Sequence, residues 1–313
     1  MTQTSSNSRI DPILRRAVVK ISFPPTQHSP QGVGTGFIVG CKGKWVTENE
    51  DLLFLITNKH IIGDWTLADG NILETRSQLD VLCYGGAGQF THVEIPLLDG
   101  NGNLLPHRMR LADDPWVDVA AIFLNNVSRP SDSQIPLEWK YFDVDTYLVP
   151  FDQITSLEVG LGDQVYALGY LYGYSLADTS YPLVKSGYFA TVPGENFALD
   201  IPCQARNGMP EGKPKRLEGK LFAVDGLIMP GNSGGPIVLA SDLKIRLNPT
   251  TKIFETASEK TPNYAIGIVS GGMGISGLTL VYSCDYIIDL VKKFVAELGR
   301  PRTSSGDMKW NMT

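Results

Sequence analysis

At 313 residues, with 42% apolar and 19% charged side chains, the chain can bury one or two sizeable cores. Its net charge of −6 argues against a general nucleic-acid binder, and no apolar run approaches membrane-spanning length. The 32 glycines and 20 prolines suit a loop-rich, all-β fold.

The opening stretch, Met1 to Ser8, is polar and lacks a hydrophobic secretory core, so it reads as a short disordered lead. Strand-like runs follow at Ala17–Phe23, 33–39, 52–57 and 79–84. Residues 85–110 read as a glycine-rich hairpin region, in which Asp99-Gly-Asn-Gly102 is a turn signal. A calcium loop is not expected there, because flanking helices and a closing glutamate are missing. Trp116-Val-Asp-Val-Ala-Ala-Ile-Phe-Leu124 has the pattern of a buried strand that starts beside an acid. Residues 125–155 are Pro- and Asp-rich and make a natural hinge. Two loops stand out further on: the tyrosine-rich Tyr170–Leu176 and the basic Gly208–Lys220. The tyrosine-rich loop reads as packing across the second half of the fold, with substrate or partner contact as the alternative. The basic loop reads as solvated, with activation or partner docking as the sharper alternative. A helix is expected over Tyr286–Val295, and no internal repeat or low-complexity tract is visible.

The chemistry concentrates in Met229-Pro-Gly-Asn-Ser-Gly-Gly-Pro-Ile237, where Ser233 sits in a glycine-rich turn ahead of an apolar run. A serine hydroxyl is a weak nucleophile unless a base stands on one side and oxyanion donors on the other. Glycines at 231, 234 and 235 let the amides of Gly231 and Ser233 point into one small hole. By itself such a turn is equally a Gly-Pro surface bend. Of the four histidines, His28 and His92 lie in polar or mixed surroundings and His107 in a proline-flanked basic loop. His60 differs, following the apolar run Leu52–Ile56 and Thr57-Asn-Lys59. Asp118 opens an apolar strand, and burying an ionised acid is costly unless it is paired. Each residue alone has a structural explanation. The order His60, Asp118, Ser233 makes a nucleophile, base and orienting acid the simpler reading.

Together these segments resemble the chymotrypsin-like serine proteases, most closely the bacterial Deg/HtrA branch. Gly34-Thr-Gly-Phe-Ile-Val39 resembles the family's opening glycine-rich strand, Leu55–His60 its histidine segment and Asp118–Ile122 its aspartate segment. Gly162–Gly169 and Val184–Gly187 resemble the strands that start a second barrel. Asp225–Gly235 resembles the nucleophile loop, and Tyr264–Gly272 the strand lining the substrate cleft. The resemblance covers roughly residues 15–298. It implies an all-β fold of two six-stranded Greek-key barrels with a C-terminal helix. The implied division is a lead (1–14), a first barrel (15–130), a connection (131–155), a second barrel (156–284), a helix (285–298) and a tail (299–313).

The resemblance also implies roles. Ser233 would attack the scissile carbonyl, His60 would move the proton, and Asp118 would orient the imidazole. The amides of Gly231 and Ser233 would hold the oxyanion, and Ser270, Gly271 and Gly272 would pair with an extended peptide. Leu227, followed by Ile228, would floor the specificity pocket, favouring small or medium apolar side chains over Lys or Arg. Asn232 stands where secreted relatives carry an activation aspartate, so control by loop ordering or a protein partner is expected. The PDZ domains usual in that branch are not expected here. Ile61 takes the place of a cysteine that secreted relatives bridge upstream, which leaves Cys41 without its partner. Cys41, Cys83, Cys203 and Cys284 fit no tetrahedral metal site, and reduced thiols in a cytoplasmic setting are expected. Neither cofactor nor metal is implied, and the expected partners are a protein or peptide substrate and a possible regulatory protein. The competing readings are a protease fold used only as an inert peptide-binding module, and a protease active only within a partner complex, such as a stress or phage-defence assembly.

Overall fold

A computed structural model describes residues 10–42, 51–65, 70, 72–85, 89–125, 127, 137–157, 159–171, 181–195, 197–201, 215–226, 229–240, 245–247, 254–256, 263–272 and 277–298. The first described element is a short helix, α1 (Pro12–Ala17). The Asp11 side chain caps it by accepting the Ile13 amide at 2.8 Å, and a proline sits in its first turn. Ile10, Leu14 and Ala17 anchor it in the core.

Ten strands follow. They are β1 (Val18–Phe23), β2 (Gly32–Cys41), β3 (Leu52–Thr57), β4 (Gly63–Trp65), β5 (Ile72–Thr75), β6 (Gln78–Tyr84), β7 (Phe90–Pro96), β8 (Met109–Leu111), β9 (Ala120–Phe123) and β10 (Phe142–Asp143). A second helix, α2 (Lys59–Ile62), is one turn long and separates β3 from β4. The main sheet runs β7-β6-β1-β2-β3-β9-β8, while β4 and β5 form a separate hairpin. Among the described residues no ladder joins β7 to β8, so the curled sheet of the first half is open at that seam. The two-residue strand β10 lies in the segment read as a connection and pairs in parallel with β2.

The second half holds β11 (Gln164–Gly169), β12 (Leu183–Phe189), β13 (Phe197–Ile201), β14 (Lys215–Gly219), β15 (Leu221–Asp225), β16 (Pro236–Leu239), β17 (Ile245–Leu247), β18 (Phe254–Thr256), β19 (Ala265–Gly272) and β20 (Leu278–Ser283). Six of these close a barrel in the order β11-β12-β15-β20-β19-β16. Closure removes exposed strand edges. The pairs β13–β14 and β17–β18 form two-stranded hairpins outside this barrel. The architecture is all-β and chymotrypsin-like, and the C-terminal helix α3 (Cys284–Leu298) completes it.

Three packed clusters explain the arrangement. The interior of the first sheet gathers Val19, Ile21, Leu55, Val81, Ile95 and Ile122, and the closed barrel gathers Val165, Phe222, Ile237, Ile266 and Val281. The third cluster spans the seam between the two sheets and extends under α3. Helix α3 buries Cys284, Ile287, Leu290, Val291 and Phe294, one apolar stripe at helical spacing. Phe294 packs on Phe54 and Phe123, with ring centroids 5.4 and 5.9 Å away. Strands β3 and β9 are therefore covered on both faces, which is why their sequences are apolar throughout. No described helix is long and apolar enough to cross a membrane.

Candidate active site

Strand β3 delivers the chain into α2 at the seam between the two sheets. Asn58 caps this helix in an extended backbone conformation and donates from Nδ2 to the Asp118 carbonyl at 2.6 Å. His60 thereby faces Asp118, which ends the approach to β9. Its Nδ1 lies 2.6 Å from Asp118 Oδ2, and its backbone amide donates to Oδ1 at 3.2 Å. The Asp118 side chain is 2% exposed while that of His60 is 35% exposed. A carboxylate can only accept, so the ring proton belongs on Nδ1 and Nε2 is left with its lone pair.

A third donor reaches the same carboxylate. Ser270 Oγ donates to Asp118 Oδ2 at 3.1 Å. The register of β19 against β20 shifts between Val269 and Gly271, so Ser270 occupies an irregularity in the ladder. Such bulges re-aim side chains beside functional sites. The sequence suggested only backbone contacts for Ser270, and its hydroxyl role was missed. A serine immediately before two glycines at a strand end was the available signal.

The Ser233 turn sits against both sheets. Gly231 has φ +100° and Gly234 φ +86°, conformations that favour glycine. Asn232 N donates to the Met229 carbonyl at 3.1 Å, closing a turn over Pro230 and Gly231. The Asn232 side chain, itself buried, accepts the Met229 amide through Oδ1 at 3.3 Å. Thr35, on β2, crosses the seam to hold the turn. Its amide donates to the Ser233 carbonyl at 2.9 Å, and its Oγ1 donates to the Gly231 carbonyl at 2.6 Å. On the other side Gly234 N donates to the Val269 carbonyl at 2.9 Å. Val269 directly precedes Ser270, so one strand supports both the Ser233 turn and Asp118. Among the described residues no hydrogen bond links Ser233 Oγ to His60.

The helix bearing His60 is clamped from behind by a polar cluster. Arg76, 3% exposed, donates from Nε to the Ile61 carbonyl at 3.0 Å and from its amide to the Ile62 carbonyl at 2.9 Å. It also reaches the Pro24 carbonyl at 2.6 Å and Ser29 Oγ at 3.0 Å, with its guanidinium 4.3 Å from the Phe23 ring centre. Asp64 accepts from Thr26 Oγ1 at 2.5 Å and from Ser29 Oγ. Burial opposes ionisation of Asp64, but the Ser29 and Thr26 hydrogen bonds and the Arg76 charge outweigh it and hold its pKa below the ordinary value.

Other expected positions fall differently. Gly271 follows Ser270 on β19, and a Cβ built on it would meet no described residue within 4 Å. Gly272 closes β19. Leu227, Ile228 and Cys203 lie outside the described residues, as do most of the loops 170–176 and 208–220. Cys41, Cys83 and Cys284 are free, buried thiols, and burial pushes Cys41 and Cys83 up to about 12. Ile61 is fully packed in the first core.

No protein-family profile matches the chain, and no characterised protein matches it in sequence. The chain is similar to solved protease structures. One is the Rv3671c protease of M. tuberculosis in its active form, 16% identical, covering 94% of this chain and 87% of that one, TM-score 0.47. The inactive form of the same protease is 16% identical, covering 90% and 92%, TM-score 0.43. Deg5 is 14% identical, covering 90% of each chain, TM-score 0.45. At such identities and scores the description of the fold rests on the chain's own ladders, one closed six-stranded barrel and one curled sheet.

Proposed function

We propose that the protein is a serine endopeptidase, with Ser233 as nucleophile, His60 as general base and acid, and Asp118 as the residue orienting the imidazole. The single observation carrying this reading is the 2.6 Å contact from His60 Nδ1 to a buried Asp118 carboxylate, at the seam where the Ser233 turn is also seated. In the proposed reaction His60 Nε2 takes the Ser233 proton as Oγ attacks a peptide carbonyl, and the imidazolium then protonates the leaving amine. Water hydrolyses the acyl-enzyme through the same base. The amides of Gly231 and Ser233 would stabilise the oxyanion, about 3 kcal/mol for one such donor. The substrate would add as a strand beside Ser270–Gly272, and Leu227 with Ile228 would favour small or medium apolar residues before the cut bond. No metal or cofactor has a part in this chemistry. The buried, unpaired Cys41, Cys83 and Cys284 support a reducing, cytoplasmic setting.

A second reading is a protease gated by a protein partner that orders the nucleophile turn. The unmade Ser233–His60 bond favours it, although such bonds often tighten only when substrate is bound. Digestion of a peptide library, read by mass spectrometry, tests both. New termini produced by wild type and absent with Ser233→Ala support the enzyme, and cuts that need an added partner support gating. Cuts mainly after Lys or Arg would overturn the apolar pocket, and no cuts under any condition would leave an inert binding module.

A further inference from the structure

The residue before His60 is a buried cation. Lys59 is 2% exposed, and its Nζ donates to three backbone carbonyls, those of Ala112 at 3.1 Å, Asp114 at 2.9 Å and Pro115 at 3.3 Å. An ammonium has three protons to give, and all three go to one short stretch of chain. That stretch is the loop leading into Asp118. Its next carbonyl, Trp116, accepts from Tyr282 OH on β20 at 2.9 Å, and Pro115 also accepts from Trp65 Nε1 at 3.1 Å. The loop is thus fastened through its carbonyls, and Lys59 supplies the largest share. Methionine at this position would match the volume, leave the Ala112 carbonyl without its donor, and leave the Asp114 and Pro115 carbonyls with one donor each, from the Val117 amide and Trp65 Nε1.

We propose that Lys59 is a positioning residue, whose ammonium holds the Asp118 loop against the His60 helix and keeps carboxylate and imidazole in register. The inference rests on the triad reading for its catalytic consequence, while the positioning itself concerns only His60 and Asp118. The charged groups facing Lys59 are Asp118 and Asp114 on the loop, and Asp113, whose side chain is engaged by Lys293 of α3. His60 is its neighbour in sequence.

Titration separates this role from a simple contribution to folding. Burial pushes Lys59 down from 10.5 to about 8, against the opposing pull of Asp118, Asp114 and Asp113. A neutral amine offers two donors and a lone pair, so one carbonyl is released and the loop slackens. The linkage has the opposite sign. Between about 8 and 10.5 the unfolded chain holds the proton more tightly, so this group adds stability as pH rises. Register and reactivity should therefore fall over a range in which Lys59 makes the fold more stable. A merely structural lysine would move both together.

The test follows the downfield proton NMR signal of His60 Nδ1–H from about pH 6 to about pH 10 in wild type and Lys59→Met, beside the rate of Ser233 phosphonylation by a fluorophosphonate probe. The expected wild-type signal is present near neutrality and lost above about pH 8, with the rate falling in parallel. In Lys59→Met the signal is absent near neutrality and the rate is about 100-fold lower, the effect of a misplaced catalytic group. A signal and rate unchanged in the variant overturn the proposal. So does a wild-type signal that persists unchanged to about pH 10, a result that needs no variant to fold. If the signal behaves as expected but Ser233 never reacts, the protease reading fails and the positioning role stands.

Discussion

Thr35 Oγ1 donates a 2.6 Å hydrogen bond to the Gly231 carbonyl, tying a strand of the first sheet to the turn that carries Ser233. The same hydroxyl accepts the Tyr170 amide at 2.9 Å, and the Thr35 carbonyl accepts from Thr57 Oγ1 at 2.9 Å. One buried residue, through its hydroxyl and its carbonyl, thus couples β2, β3, the end of β11 and the Ser233 turn. The orientation of the Gly231 peptide depends on both halves of the molecule being in place.

Thr35→Val keeps the shape and removes the hydroxyl, stranding a buried carbonyl and a buried amide. The expected loss of stability is about 2–6 kcal/mol, since each of the two unsatisfied groups costs about 1–3 kcal/mol. Thr35→Ser restores the donor and should retain most of the wild-type stability. Urea unfolding of the three proteins measures this directly, and equal stability of the valine and serine variants would refute the role of the hydroxyl.

Gly234→Ala should be among the most damaging single-methyl changes in the chain. Gly234 holds φ +86°, and a Cβ there would overlap the Thr35 carbonyl oxygen and the Thr57 hydroxyl. Backbone strain alone is about 1–3 kcal/mol, before the steric collision. The expected result in thermal denaturation is a large drop in midpoint or failure to fold. A variant melting with wild type would show that the turn has another conformation.

Acid should loosen the clamp behind the His60 helix. Asp64 has a folded pKa held below its unfolded value, so its contribution is present above the ordinary aspartate range, near 3.9. It is lost as pH falls through the lower folded value. In Asp64→Asn that contribution is missing at neutrality, and the stability gap to wild type should shrink as pH falls toward about 3. Denaturation midpoints across this range read the gap. A gap that widens in acid would contradict the assignment.

Asp118→Asn should abolish most activity while changing stability far less. The amide has one acceptor oxygen where the carboxylate uses two, so with its NH2 toward the ring it donates to Nδ1 and fixes the wrong imidazole tautomer, and the loss in such a triad is about 10⁴-fold in kcat. Hydrolysis rates on a substrate taken from the library digest give the comparison. A loss below about tenfold would remove Asp118 from the mechanism.

The apolar runs at 52–57 and 116–124 were readable because α3 and the sheet interior bury both faces of β3 and β9. His60, Asp118 and Ser233 were visible because each type of residue is unusual in its local context. Thr35 was invisible as a support, since a threonine between two glycines carries no mark of a partner 196 residues away. Lys59 read as part of a polar trio before the histidine, because burial of its stem and head depends on the loop at 112–115 folding over it. The open seam of the first sheet was likewise not legible, because β8 is three residues long and β10 two, too short to show a period. Ser270 needed the shift in β19 register before its hydroxyl could be assigned.

Peptide mapping of the fluorophosphonate adduct tests the central claim most directly. The account predicts a single adduct on Ser233, formed rapidly by wild type, slowed by orders of magnitude in His60→Ala and absent in Ser233→Ala. An adduct on another residue, or equal labelling of wild type and His60→Ala, would contradict it.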